Sequence, residues 1–198
     1  MIQTTRPTDY FEQISKALSS VQVSTGNKNA SVDISLDEGA GKVLDFVSAA
    51  KANFKKIMLI GNGGSASIVS HIQNDLCDSA AVRAIVFNEA PFLTAIANDH
   101  GYETFFETAI QLWSEPGDIL LAVSSSGRSQ NIIRAVNACQ EKGNKIITLS
   151  GFSPENPLRK LGDVNFYVPS KSYGIVECSH SILGHYLTDC ICELQKVT

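Results

Sequence analysis

Apolar residues recur at helical spacing over residues 7–24, with Tyr10, Phe11, Ile14, Leu18 and Val21 on one face. Pro7 suits the first position of that helix. Residues 25–31 (TGNKNAS) read as a turn. A second amphipathic helix is predicted over 35–53. Asp37 and Glu38 lie in its first turn, and its apolar face includes Leu36, Val43, Leu44 and Val47. From Lys56 the pattern changes. Ile57–Ile60 is a short continuous apolar run, as expected of a strand buried on both faces. Four more such runs follow, at 82–87, 119–123, 145–149 and 164–168. Helices are predicted from Ser65 to about Ser79, from Ser129 to Lys142, and over 175–195.

Strands alternating with helices predict an α/β fold. We expect a doubly wound parallel five-stranded sheet with helices on both faces, in a single domain over 1–198 with an N-terminal helical arm at 7–53. Ligands in such folds bind beyond the carboxyl ends of the strands. Two loops rich in Gly and Ser fall there: Gly61-Asn62-Gly63-Gly64-Ser65 and Ser124-Ser125-Ser126-Gly127-Arg128-Ser129.

Composition narrows the chemistry. The formal net charge is −4, and Lys and Arg are scattered, so no nucleic-acid partner is expected and any phosphate must be held by local geometry. The five cysteines are odd in number and lack CxxC spacing, which fits a reducing cytoplasm better than a disulfide framework. The N-terminal MIQTTRPTDYFEQ is polar, so no signal peptide is expected. No apolar run reaches the roughly 18 residues of a membrane span.

The first loop lacks the lysine of a P-loop and has Ala66 where a dinucleotide fingerprint needs its third glycine. Taken alone it is either an anion site or a plain tight turn. The second loop crowds four hydroxyls and a glycine before a helix start. Hydroxyls and free backbone N–H groups there form a neutral cradle for a phosphate dianion. A capping turn with redundant serines is the other reading, although one serine suffices as a cap.

Together the two loops resemble the sugar isomerase (SIS) family over Lys56–Leu194, within which the chain is most similar to the phosphoheptose isomerase group. GNGGSA, Ala95–Asp99 (A-x-x-N-D), Pro116–Leu121 (PGDILL) and a late helical histidine carry the likeness. The resemblance implies aldose–ketose isomerisation of sedoheptulose 7-phosphate to glycero-manno-heptose 7-phosphate, a precursor of surface lipopolysaccharide. It implies Asp75 and His185 as the catalytic pair, and substrate contacts from Asn62, Gly63, Gly64, Ser65, Asn98, Asp99, Ser124, Ser125, Ser126, Ser129 and Glu177. It further implies zinc held by His71, Asp75, Glu177 and His185, no organic cofactor, and a homotetramer with sites near subunit boundaries.

The chain departs from the group around the sugar. Asp75 stands for Glu, Glu177 for Gln and Gly174 for an acidic residue, and a T-G-R segment is absent. Residues eight apart on a helix are also about 12 Å apart. Glu177 and His185 therefore meet one ligand only at a helix entry, or else serve sites in different subunits. Other readings stay open: a surface pair for His71 and Asp75, a core histidine for His185, a turn cap for Asp99, and a non-catalytic phosphosugar- or protein-binding module for the whole chain. His100 and His180 read as structural.

Overall fold

The computed structural model describes residues 6–26 and 31–196. In chain order the elements are α1 (Pro7–Ser19), β1 (Gln22–Thr25), β2 (Val32–Ile34), α2 (Leu36–Ala52), β3 (Ile57–Gly61), α3 (Gly64–Asp78) and β4 (Ala84–Val86). Then come α4 (Ala90–His100), a 3₁₀ turn (Tyr102–Thr104), α5 (Phe105–Trp113), β5 (Ile119–Ser124), α6 (Gln130–Glu141), β6 (Lys145–Ser150), a second 3₁₀ turn (Pro157–Lys160), β7 (Val164–Tyr167) and α7 (Tyr173–Lys196). Among the described residues no helix is long and apolar enough to cross a membrane.

The seven strands among the described residues lie in one sheet, ordered β2-β1-β7-β6-β5-β3-β4. The five expected strands are all present and all parallel. The two extra strands correct the expected count. β1 pairs antiparallel with both β7 and β2, so the region read as a helical arm also adds a hairpin to the sheet. The strands are four and three residues long, too short for a period of two to stand out from the end of a helix. Their connection includes residues 27–30, so much of the turn expected at 25–31 lies outside the described residues.

Apolar side chains fill both faces of the sheet. One face packs α2, α3 and α7 over Leu59, Leu121 and Leu149, and the other packs α5 and α6 over Met58, Ile60 and Leu120. Burial on both faces is why β3 and β5 read as unbroken apolar runs. Ser35 and Glu38 close a reciprocal capping box at the start of α2.

The order of strands places the site. From β3 the chain moves outward to β4, then crosses back to β5 on the other side of β3. The carboxyl ends of β3 and β5 thus flank the crevice where the winding reverses. Gly61 pairs in register with Val123, so the two loops begin side by side. At the opposite end Asp118 clasps the same two strands. It accepts from the Lys56 backbone N–H at 3.0 Å, the Lys56 ammonium at 2.6 Å and the Glu115 N–H at 2.8 Å. Burial opposes its ionisation, yet these donors together hold its pKa below the ordinary carboxylate value.

Candidate active site

Gly63 enters α3 with φ +54, a conformation that L side chains rarely adopt, so glycine is needed for this turn. Gly64 is needed for space. A Cβ there would lie 2.5 Å from Glu177 Oε2. The carboxylate of Glu177 on α7 is therefore packed against the start of α3.

The two loops and α7 enclose a pocket of about 140 Å³ lined by Asn62, Ser65, Ser124, Ser125, Ser126, Ser129, Tyr173 and Glu177. No Lys or Arg lines it. The serines divide into two kinds. Ser124 Oγ accepts from the Gly127 N–H at 3.2 Å, and Ser126 Oγ accepts from the Arg128 N–H at 3.3 Å, so these two shape the turn. Ser129 is the N-cap of α6, but its side chain makes no capping hydrogen bond. Ser125 Oγ is buried and has no hydrogen-bond partner among the described residues. A capping turn accounts for Ser124 and Ser126. It leaves the hydroxyls of Ser125 and Ser129 without a use, and a buried hydroxyl left unpaired costs about 1–3 kcal/mol.

Asp75 and His185 converge. His185 Nδ1 on α7 is 3.3 Å from Asp75 Oδ2 on α3, and His71 Nε2 is 3.6 Å from Asp75 Oδ1. The two imidazoles meet edge to face, with ring centroids 4.7 Å apart. His185 is thus not a core histidine; its side chain is 45% exposed. The three ligand atoms lie within 4.8 Å of one another. Two imidazole nitrogens and a carboxylate are a donor set that suits zinc.

Glu177 lies outside that cluster, so the chain by itself brings together three of the four expected metal ligands. Helices α3 and α7 run parallel: Gly64 faces Glu177, Ile72 touches Gly184, and Asp75 meets His185. Glu177 is eight residues before His185 and Ser65 ten before Asp75, or about 12 and 15 Å along the helices. The serine pocket and the His–Asp cluster therefore occupy two stations on one seam.

Asn98 and Asp99 lie in neither group. They lie in the last turn of α4, and Asn98 Nδ2 donates to Asp99 Oδ1 at 2.8 Å. The residues the sequence reading missed are Tyr173, which lines the pocket, and Asn131 and Tyr102, both bonded to Asn62. Only Asn131 carried a signal, as an amide two residues beyond the serine loop. His180 is fully buried, and its Nε2 donates to the Ser150 carbonyl at 3.2 Å. Burial lowers its pKa to about 4 against that hydrogen bond, so the ring is neutral.

A sequence profile described as the SIS domain matches residues 9–151. A phosphoheptose isomerase of a Nitratiruptor species is 35% identical over 150 residues, 73% of this chain and 80% of the relative. One from Aneurinibacillus thermoaerophilus is 36% identical over 141 residues, 68% of this chain and 71% of the relative. The solved phosphoheptose isomerase of Neisseria gonorrhoeae superposes with a TM-score of 0.78 at 26% identity, covering 93% of each chain.

Proposed function

Because the chain belongs to the SIS domain family, we propose that it is a sugar-phosphate isomerase converting sedoheptulose 7-phosphate to glycero-manno-heptose 7-phosphate for surface lipopolysaccharide precursors. The relatives named phosphoheptose isomerase support the substrate. The observation that carries the phosphate reading is the buried, unpartnered Ser125 hydroxyl in a pocket of serines at a helix start. The phosphate sits there, held by Ser125, Ser126, Ser129 and Ser65, with the dipole of α6 behind it.

Aldose–ketose isomerisation moves a proton between adjacent carbons. Asp75 takes the proton from C1 of the ketose, giving an enediol, and returns it to C2. His185 carries a proton between the two oxygens, so that the C2 carbonyl becomes a hydroxyl and the C1 hydroxyl a carbonyl. Asp75 lies within 3.3 Å of the His185 ring and 3.6 Å of the His71 ring, which flank it for this work. Zinc, when bound by His71, Asp75 and His185, supplies Lewis-acid polarisation of the substrate oxygens. No organic cofactor enters this chemistry.

With C–C bonds of about 1.5 Å an extended seven-carbon phosphate spans roughly 10 Å, and contacts of about 3 Å at each end let it bridge the 12–15 Å between the stations. Exposed apolar side chains on α1 and α7 (Phe11, Ile182 and Tyr186) support a homotetramer. The odd number of cysteines and their lack of CxxC spacing support a cytoplasmic setting.

The test is solvent-deuterium exchange into sedoheptulose 7-phosphate, together with its binding by Ser126→Ala and Ser129→Ala. Exchange by the parent is expected, with each serine variant losing about 1–3 kcal/mol of binding. No exchange with any ketose phosphate, zinc supplied, would move the assignment to a non-catalytic phosphosugar-binding module.

A further inference from the structure

We propose that Tyr102 is a positioning residue for the phosphate pocket, acting through Asn62, whose amide it locks with an N–H turned to the ligand. This rests on the reading of the serine pocket as a phosphosugar site.

The orientation of Asn62 follows from a chain of hydrogen bonds anchored on a backbone donor. Asn131 is 3% exposed in the first turn of α6. Its Oδ1 accepts from the Ile132 N–H at 3.0 Å. A backbone N–H only donates, so this contact fixes which end of the Asn131 amide is oxygen. Asn131 and Asn62 then pair reciprocally. Asn62 Nδ2 donates to Asn131 Oδ1 at 3.0 Å, and Asn131 Nδ2 donates to Asn62 Oδ1 at 2.9 Å. With Asn62 so turned, the Tyr102 hydroxyl 2.8 Å away faces a carbonyl oxygen and must donate to it.

The outcome is directional. Asn62 Oδ1 accepts two bonds, which uses both lone pairs. One N–H of Asn62 Nδ2 has no partner among the described residues. Asn62 lines the serine pocket, where that N–H is a donor for an anionic oxygen. Turned the other way, the amide would present an oxygen to a phosphate and repel it. Tyr102 comes from the 3₁₀ turn after α4, forty positions from Asn62, and is 46% exposed. A half-exposed phenol contributes little to folding. What its hydroxyl adds is the second donor that makes the flipped amide unfavourable.

The experiment measures sedoheptulose 7-phosphate binding and turnover, with inorganic phosphate as a second probe. The variants are Tyr102→Phe, Asn62→Ala, the double variant, and Ser126→Ala as a check on the pocket. Tyr102→Phe should weaken binding of both probes three- to tenfold, as expected for about one hydrogen bond. It should raise KM by the same factor with kcat unchanged, and leave the melting temperature unaltered. In the Asn62→Ala background the Tyr102 change should have no further effect, because the residue acts only through that amide. If Asn62→Ala does not fold, Asn62→Asp serves. It keeps the acceptor but removes the donor, and should weaken binding at least as much. Parent-like binding by Tyr102→Phe, with Ser126→Ala impaired, overturns the positioning role alone. So does full additivity of the two changes. Parent-like binding by Ser126→Ala overturns the pocket reading itself, and the inference with it.

Discussion

His185 Nδ1 lies 3.3 Å from one oxygen of Asp75, and His71 Nε2 lies 3.6 Å from the other. One carboxylate thus joins two imidazoles from two helices. Asp75→Asn keeps the shape and removes the basicity. It should lower solvent-deuterium exchange by about 10²–10⁴-fold while phosphosugar binding persists. His185→Gln should behave likewise. Equal exchange in parent and Asp75→Asn, compared side by side, would remove Asp75 as the base.

Zinc affinity should follow the His–Asp cluster and not Glu177. In equilibrium titrations with zinc alone, Asp75→Ala should lose at least about tenfold, and Glu177→Gln should match the parent. The same Glu177→Gln change removes a negative charge from the serine pocket. It should tighten inorganic phosphate binding by about fivefold for each unit of phosphate charge, the factor for two like unit charges about 4 Å apart in water-like surroundings. Weaker phosphate binding by Glu177→Gln would mean that the carboxylate serves as a hydrogen-bond partner there.

Ser125→Ala should separate stability from function. The variant removes a buried hydroxyl that has no partner among the described residues, so its urea midpoint should equal or exceed that of the parent. Sugar-phosphate binding should fall by about 1–3 kcal/mol, because that hydroxyl is then missing from the cradle. A destabilised fold with unchanged binding would assign Ser125 to the framework.

Stability should fall on acidification because of His180. Its folded pKa is about 4, below the value of 6.5 for an unburied ring. Between these values the unfolded chain binds the extra proton, so the contribution is complete above about 6.5 and drains away as pH falls toward about 4. Its full size is on the order of 3 kcal/mol. Asp118 acts lower: its pKa is held below 3.8, so its contribution is lost only as pH falls below that value. Urea unfolding of parent and His180→Gln from pH 7 to pH 4 checks this. The parent should lose more stability than the variant, and parallel curves would contradict it.

A tetramer should depend on exposed apolar side chains of α1 and α7. Phe11→Asp combined with Ile182→Lys should shift sedimentation to smaller species and reduce turnover. Deleting residues 1–34 is a poorer test, since it also strips β1 and β2 from the sheet. A parent protein sedimenting as a monomer at micromolar concentration would count against the assembly.

The parallel strands and the serine loops were legible because their information is local. A strand buried on both faces must be apolar throughout, as Ile57–Ile60 is, and a turn at a strand end needs glycines and hydroxyls within a few residues. The spacing of His71 and Asp75 likewise set them on one side of a helix. Neighbouring residues could not tell which helix would lie beside α3, nor in which direction. Parallel packing of α3 and α7 brings His185 to Asp75 and sends Glu177 to Gly64, more than a hundred positions away in each case. The same holds for Asn62, whose amide is oriented by Asn131 and Tyr102 from other segments. Hydrophobic periodicity states only that a face is buried. The partner it is buried against is decided when the helices dock on the sheet, because that choice depends on the shapes and volumes of side chains from segments far apart in the chain.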